Sequence, residues 1–427
     1  MKILWIVNKI TGQLHVKETG KRSTGGLWLE AMIDSAKEDS DIEIVIVNVM
    51  KVSSVKKLDD GNIRYYTIPG KPNEHYNYRS YKSYKHWRDI IDEEKPDLIE
   101  LWGTEMPMGL AALHEANNIP TIVYVQGVLE SIGRYYLAGM TNQEIKKACT
   151  IRDILTRSTL HQTQKKYLQR SLIESKIINL SKNIIVENDW AEAYYKKICP
   201  GVNAYRCPLS ISKEFEEEQW NINNIAHYTI MCSAANYPIK GLHMLLKALE
   251  IVKKKYPNVK LSVPGTVLRK VNDFKSFIKQ DGYSKYINRL IKKLKLESNI
   301  EYTGRLTAKE MAKKMTEVNC FIMCSAIENH SSTLKEAMTV GVPCIASYVG
   351  GVPEYGIHNH NCLLYRFEDY ESLAYYIIKL FESKDLCIKL SRNAINSMIE
   401  SRTQNDFYKI SKEIYNKVID NHKNSQR

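Results

Sequence analysis

The chain has 427 residues, a formal net charge of +13, 44% apolar residues and 26% charged residues. That length exceeds what one hydrophobic core serves and predicts two domains, each able to bury most of the surface its unfolded chain exposes. The composition excludes long disordered, collagen-like or low-complexity segments, so disorder is expected only in the terminal stretch NHKNSQR.

The opening MKILWIVNK carries an apolar run of five residues. This is too short for a signal-peptide core or a membrane span, so it reads as a first β-strand. Nine cysteines are scattered without paired spacing, and the closest pair, Cys320 and Cys324, falls on one face of a buried strand. Core packing and a reducing cytoplasm are expected rather than disulfides or a metal site.

Short β-branched runs (KILWIV, IEIVIVN, DLIELW, TIVYV, NIIVEN) alternate with longer helical patterns. After WNINNIAH the series restarts with YTIMCSA, VKLSV, NIEYTG, NCFIMCS, PCIASY and NCLLY. Alternation of this kind predicts α/β architecture with two parallel sheets covered on both faces. The expected boundaries are residues 1–222 and 223–400. A last helix over 401–427 has Phe407, Ile410, Ile414 and Val418 at helical spacing.

The positive charge implies attraction to an anionic partner, whether nucleotide, nucleic acid or membrane surface. It peaks between Gln143 and Lys182, where nine Lys or Arg stand against three acids. A solvated helical face and contact with acidic lipid both account for that run. It lacks aromatic interleaving and any nucleic-acid motif, so no nucleic-acid partner is expected.

Doubly wound sheets bind ligands beyond the carboxyl ends of their strands. The loops TGGLW, GTEMP, QGVLES, NYPIKG, TGRLT and the stretch ENHSSTLKEAMTVGVPCIASYVGG are therefore the places to look. In the last of these, a strand and a polar loop lead into a short helix, a ready anion site because unpaired N–H groups and the helix dipole converge there. An alternative needs no ligand: Thr333 and Glu336 match a capping box. Glu328 lies outside any such box.

Glu328 and Glu336, separated by seven residues and followed by AM, GVP, a strand and GG, resemble the E-x7-E pattern of retaining glycosyltransferases of family 4, which have the GT-B fold. The wider phrase SAIENHSSTLKEAMTVGVPCIASYVGGVPE is similar to the capsular and surface-polysaccharide branch of that family, and the resemblance covers nearly all of the second domain. It implies two Rossmann-like domains facing a cleft, with a C-terminal helix returning to the first. Residues 1–222 would bind the acceptor and 223–400 the nucleotide-sugar.

By the same resemblance, Lys240 of the Lys240-Gly241 loop would contact the donor diphosphate and Glu328 the hydroxyls of the transferred sugar. Glu336 would bind the ribose, and backbone N–H groups near Ser331, Ser332 and Thr333 would hold the diphosphate. His330 would face the donor sugar, and the loop at Arg305 and Leu306 would border the base. Where the family usually places an Arg, this chain has Ala235. No cofactor and no metal is expected, since the one DxD-like run, Asp39-Ser40-Asp41, reads as a turn. Charge on the leaving diphosphate then falls to cations and the helix N-terminus.

In the first half, Gly25-Gly26 permits close approach of backbone to a ligand, although a plain turn explains the pair equally. Gln126 stands where many family members carry a His; its amide can bond sugar hydroxyls but cannot serve as a base. Glu105 either binds the acceptor or caps the helix after Pro107. The resemblance implies transfer with retention to a saccharide or glycolipid acceptor in surface-polysaccharide assembly; the basic charge of the first domain, not the resemblance, suggests peripheral contact with an anionic membrane from the cytoplasmic side. A non-catalytic GT-B partner subunit and a sugar-nucleotide epimerase are the competing readings.

Overall fold

The computed structural model describes residues 1–8, 11–20, 27–70, 84–104, 107–209, 211–233, 236–265, 278–404 and 407–426. Chain contacts divide it into two units: Met1–Glu130 with Leu168–Ser210 and Asn405–Arg427, and Ser131–Tyr167 with Ile211–Gln404.

The first unit is built on eight strands, β1 (Lys2–Ile6), β2 (Glu43–Met50), β3 (Lys56–Asp60), β4 (Ile63–Pro69), β5 (Leu98–Trp102), β6 (Thr121–Tyr124), β7 (Asn183–Val186) and β8 (Asn203–Arg206). Their order in the sheet is β3-β4-β2-β1-β5-β6-β7-β8, parallel throughout except for the β3–β4 hairpin. β1 from Ile3, β2 from Ile44 to Val47 and all of β5 are buried. Such unbroken apolar runs mark strands covered on both faces.

The hairpin and β8 do not stand out in the sequence. The hairpin turns through Gly61 and Asn62, with Gly61 at φ 68°. The charges Lys56, Lys57, Asp59 and Asp60 hide the strand pattern beside it, and charge of that kind protects an edge from pairing with another chain. The C-terminal helix Phe407–Ser425 belongs to this unit. It buries Phe407, Ile414, Tyr415 and Val418 in a cluster with Trp5, Trp102 and Tyr124.

The second unit has six strands, β9 (Thr229–Cys232), β10 (Lys260–Pro264), β11 (Ile300–Gly304), β12 (Cys320–Met323), β13 (Cys344–Ser347) and β14 (Leu363–Tyr365). All are parallel, in the order β11-β10-β9-β12-β13-β14. The connections reverse direction between β9 and β12, which opens a crevice at the carboxyl ends of those two strands.

The sequence boundary at 222/223 differs from this partition, because residues 131–167 and 211–222 pack with the second unit. Trp220 explains the second segment: its indole N–H donates to the Val318 carbonyl at 2.8 Å and its backbone N–H to Val340 at 2.8 Å. The first is held through the helix Asn142–Ala148, where Glu144 accepts from the Tyr286 hydroxyl at 2.7 Å. Lys285 and Arg289 donate to the Cys149 and Lys147 carbonyls at 2.7 and 3.0 Å. The buried His243 ring adds a bond to the Ala138 carbonyl at 2.7 Å. Among the described residues no helix is long and apolar enough to cross a membrane.

Candidate functional site

Two loops of the second unit meet at the β9/β12 crevice. The loop after β9 ends in a single helical turn, Pro238–Lys240, closed by Gly241 at φ 72°. A side chain at Gly241 would collide with the Cys324 carbonyl oxygen, so glycine is required both by the left-handed backbone and by close packing of the two loops. The Ala326 N–H donates to the Ile239 carbonyl at 2.7 Å and ties the loop after β12 to this turn.

That interlock brings Lys240 against Glu328. Lys240 Nζ lies 2.5 Å from Glu328 Oε1, and their side chains are 25% and 13% exposed. Ser325 Oγ donates to the same carboxylate oxygen at 2.6 Å. Burial disfavours the lysine's charge, but the Glu328 carboxylate outweighs that penalty and holds the ammonium above the ordinary lysine range. Glu328 is buttressed from behind: Gly351 N–H donates to its carbonyl at 3.2 Å, and a side chain at Gly350, φ 53°, would strike that carbonyl. The Gly-Gly pair thus fixes the backbone that carries the glutamate.

The helix after this loop runs Ser332–Val340 and is capped by Ser331, whose hydroxyl accepts the Leu334 N–H at 3.4 Å. This corrects the capping box offered by Thr333 and Glu336, because the helix starts two residues earlier than the TLKE spacing suggests. Leu334, Lys335 and Ala337 to Val340 are buried. Only Ser332, Thr333 and Glu336 are half-buried, which at positions i, i+1 and i+4 makes one narrow accessible strip. The backbone N–H groups of Ser332 and Thr333 bond to no other described residue.

Glu336 likewise has no hydrogen-bond partner or ion pair among the described residues. Burial alone pushes its carboxyl up to about 7. Beside the strip, His330 stacks on Tyr355 with ring centroids 4.9 Å apart, and Lys335 Nζ sits 5.1 Å from the same ring. Burial, then the Lys335 charge, lowers the imidazole well below its usual range and keeps it neutral. Sequence reasoning missed Ser325, Tyr355 and Lys335. No spacing marks Ser325, and Tyr355 lies far along the chain.

The remaining sequence-predicted residues are dispersed. Arg305, after β11, is exposed, and among the described residues no hydrogen bond or ion pair links it to Lys240 or Glu328. Leu306 lines a cleft of about 800 Å³ with Tyr302, Thr303, Lys309 and Lys313. Gly25, Gly26, Glu105 and Ala235 lie outside the described residues. Asp39 and Asp41 form a turn, the Asp41 N–H donating to Asp39 Oδ1 at 3.0 Å, and Asp39 pairs with Lys412 at 2.7 Å.

Gln126 is half-buried in the loop after β6. That loop is clamped by Glu174, a fully buried carboxylate outside the expected set. Glu174 accepts from Leu129 N–H at 3.1 Å, Tyr195 OH at 2.8 Å and Thr104 Oγ1 at 2.7 Å. It therefore joins the loops after β5 and β6.

Solved structures with the same architecture include a sucrose-phosphate synthase from Thermosynechococcus elongatus, with TM-score 0.69, 15% identity and 98% of each chain covered. Anabaena Alr3699/HepE in complex with UDP-glucose has TM-score 0.64 and 14% identity, covering 98% of this chain and 99% of that one. The E. coli trehalose-6-phosphate structure bound with UDP-2-fluoro glucose has TM-score 0.63 and 12% identity, again covering 98% and 99%.

A curated relative, N-acetyl-alpha-D-glucosaminyl L-malate synthase of Bacillus anthracis, is 27% identical over 140 residues. That stretch spans 33% of this chain and 36% of the relative's length. The structural likenesses show the fold, two Rossmann-like units as in GT-B glycosyltransferases. Residues 212–397, which carry Lys240, Glu328 and Glu336, match the family described as Glycosyl transferases group 1.

Proposed function

We propose that the chain is a glycosyltransferase that moves a sugar, with retention at the anomeric carbon, from a nucleotide-sugar to a saccharide or lipid-linked saccharide acceptor in surface-polysaccharide assembly. The observation that carries the reading is the Lys240–Glu328 pair, set in a group 1 domain beside the unpaired strip Ser332, Thr333 and Glu336.

Each group has a part suited to its chemistry. Breaking a sugar–phosphate bond develops negative charge on the departing diphosphate. Lys240 and the free N–H groups of Ser332 and Thr333 supply the cation and the helix N-terminus that stabilise it. Glu328 keeps Lys240 charged until the donor arrives, then shares that ammonium with the diphosphate while its second oxygen accepts from sugar hydroxyls. Glu336, with no partner among the described residues, accepts from the ribose hydroxyls. His330 is neutral and contributes a wall of the sugar pocket rather than a charge.

In this proposal no metal takes part, and the leaving phosphate assists deprotonation of the acceptor on the same face of the sugar. Gln126 and Glu105 would contact the acceptor, and Arg305 and Leu306 the base. A lipid-linked acceptor is met at a membrane face, toward which a chain of charge +13 is drawn.

The test is a thermal-shift panel of nucleoside diphosphates and their sugars, followed by donor turnover with Lys240→Ala. A selective donor raises the apparent stability by mass action. Losing the lysine removes stabilisation specific to the transition state and lowers turnover by about 100- to 1,000-fold with donor saturating. Turnover near the wild-type rate in that variant would overturn the assignment.

A further inference from the structure

We propose that the short helix Ile151–Leu155 and the basic segments on either side of it form a docking surface for an anionic lipid bilayer. The inference extends the reading of a lipid-linked acceptor, and it stands on observations apart from the donor site.

The helix is inverted relative to an ordinary surface helix. Ile151, Ile154 and Leu155 are 71%, 60% and 79% exposed, whereas its one acid, Asp153, is 2% exposed. It is closed at its ends by polar bonds. Thr150 caps it by accepting the Asp153 N–H at 3.2 Å, the Ser158 N–H donates to the Asp153 carbonyl at 2.8 Å, and Thr156 Oγ1 donates to the Arg152 carbonyl at 2.7 Å. Isolated exposed aliphatic residues need no explanation. Three of them on a five-residue helix, fixed outward while the carboxylate faces in, make a cluster that does.

The surrounding charge indicates what covers it. Between Ser131 and Tyr167 there are seven Lys or Arg and two acids. Both acids are engaged within the protein: Glu144 in the cap of its own helix and with Tyr286, Asp153 with Arg152. Lys146, Lys147, Arg157 and Lys165 are exposed.

Apolar side chains flanked by cations, with no exposed acid among them, suit the boundary between anionic headgroups and acyl chains. There the aliphatic groups leave water while Lys and Arg reach the phosphates.

Flotation of the full chain with vesicles of phosphatidylcholine alone, and with phosphatidylglycerol added, tests this directly. Binding is expected only to the anionic vesicles and is expected to fall with salt. The triple variant Ile151→Ser/Ile154→Ser/Leu155→Ser should lose about tenfold or more in partitioning while keeping its melting temperature, because those side chains already face solvent. Lys146→Glu/Lys165→Glu should weaken binding to anionic vesicles in the same sense. The proposal is overturned if wild-type protein does not float, if the triple variant floats equally well, or if the three aliphatics instead mediate self-association in lipid-free solution. No sugar donor or acceptor enters the assay, so its failure leaves the transferase reading standing.

Discussion

Glu336→Gln separates ligand binding from folding at this site. In the folded chain the Glu336 carboxyl is pushed up to about 7 by burial and has no partner among the described residues. Its ordinary value is near 4.5, so between those values the folded state holds a proton that the unfolded chain has released. Stability from this group is complete below about pH 4.5 and declines as pH rises through 7. A full shift of that size amounts to about 3 kcal/mol, and partial solvent access reduces it to roughly 1–2 kcal/mol.

Glutamine carries no charge to desolvate and should leave the melting temperature unchanged near pH 4, raise it at pH 6 and raise it further at pH 8. Binding should move the other way. The ribose contact needs an ionised acceptor, so the variant loses roughly one charge-assisted bond, about 1.5–3 kcal/mol, or a 10- to 150-fold weaker donor Kd at pH 8. Titration calorimetry with the donor found by thermal shift, repeated from pH 6 to 8.5, reads both parts. Wild-type affinity should weaken as pH falls below about 7, and the variant should show a flatter profile. A variant that is clearly less stable at pH 8 yet binds donor normally would refute the argument, for Glu336 would then be a structural group.

Glu328→Gln gives the contrasting result. It leaves Lys240 without its carboxylate, so urea denaturation should show a loss of about 1–3 kcal/mol together with lost activity; unchanged stability would deny the pair any structural role. Gly350→Ala forces a side chain toward the Glu328 carbonyl at positive φ, and turnover should fall with a Tm loss of several degrees; a fully active, equally stable variant would show that this backbone does not hold the glutamate. Glu100, buried with Tyr415 donating to it at 2.5 Å, has its carboxyl pushed up to about 8 by burial. Its raised value makes stability fall between about pH 4.5 and 8, by a few kcal/mol. Glu100→Gln should flatten that slope, measured as denaturation midpoints at pH 5 and 8.5, and an unaltered slope would mean the carboxylate is not the group responsible.

The sequence by itself carried the α/β class, all six strands of the second sheet and five of the first, because buried parallel strands write their burial as unbroken apolar runs. It also brought Lys240, Glu328, Ser331 to Thr333 and Glu336 forward as one candidate set, through the resemblance of the E-x7-E phrase and the Lys-Gly loop to family 4 glycosyltransferases, while spacing alone offered only a helix N-terminus suited to an anion. Hairpin β3–β4 was obscured because an edge strand is charged for reasons opposite to those that make a core strand apolar.

Only the tertiary structure decided how the two glutamates differ. Spacing made Glu336 a capping residue and left Glu328 unencumbered, whereas packing gives the cap to Ser331, ties Glu328 to Lys240 across 88 residues of chain, and leaves Glu336 without a partner among the described residues. The same holds for the basic run after Gln143. Composition gave its charge, but which side chains turn inward depends on neighbours distant in sequence, and those neighbours bury Asp153 while leaving Ile151, Ile154 and Leu155 facing water. Pairing and burial are properties of groups brought together by folding, and no local pattern encodes them.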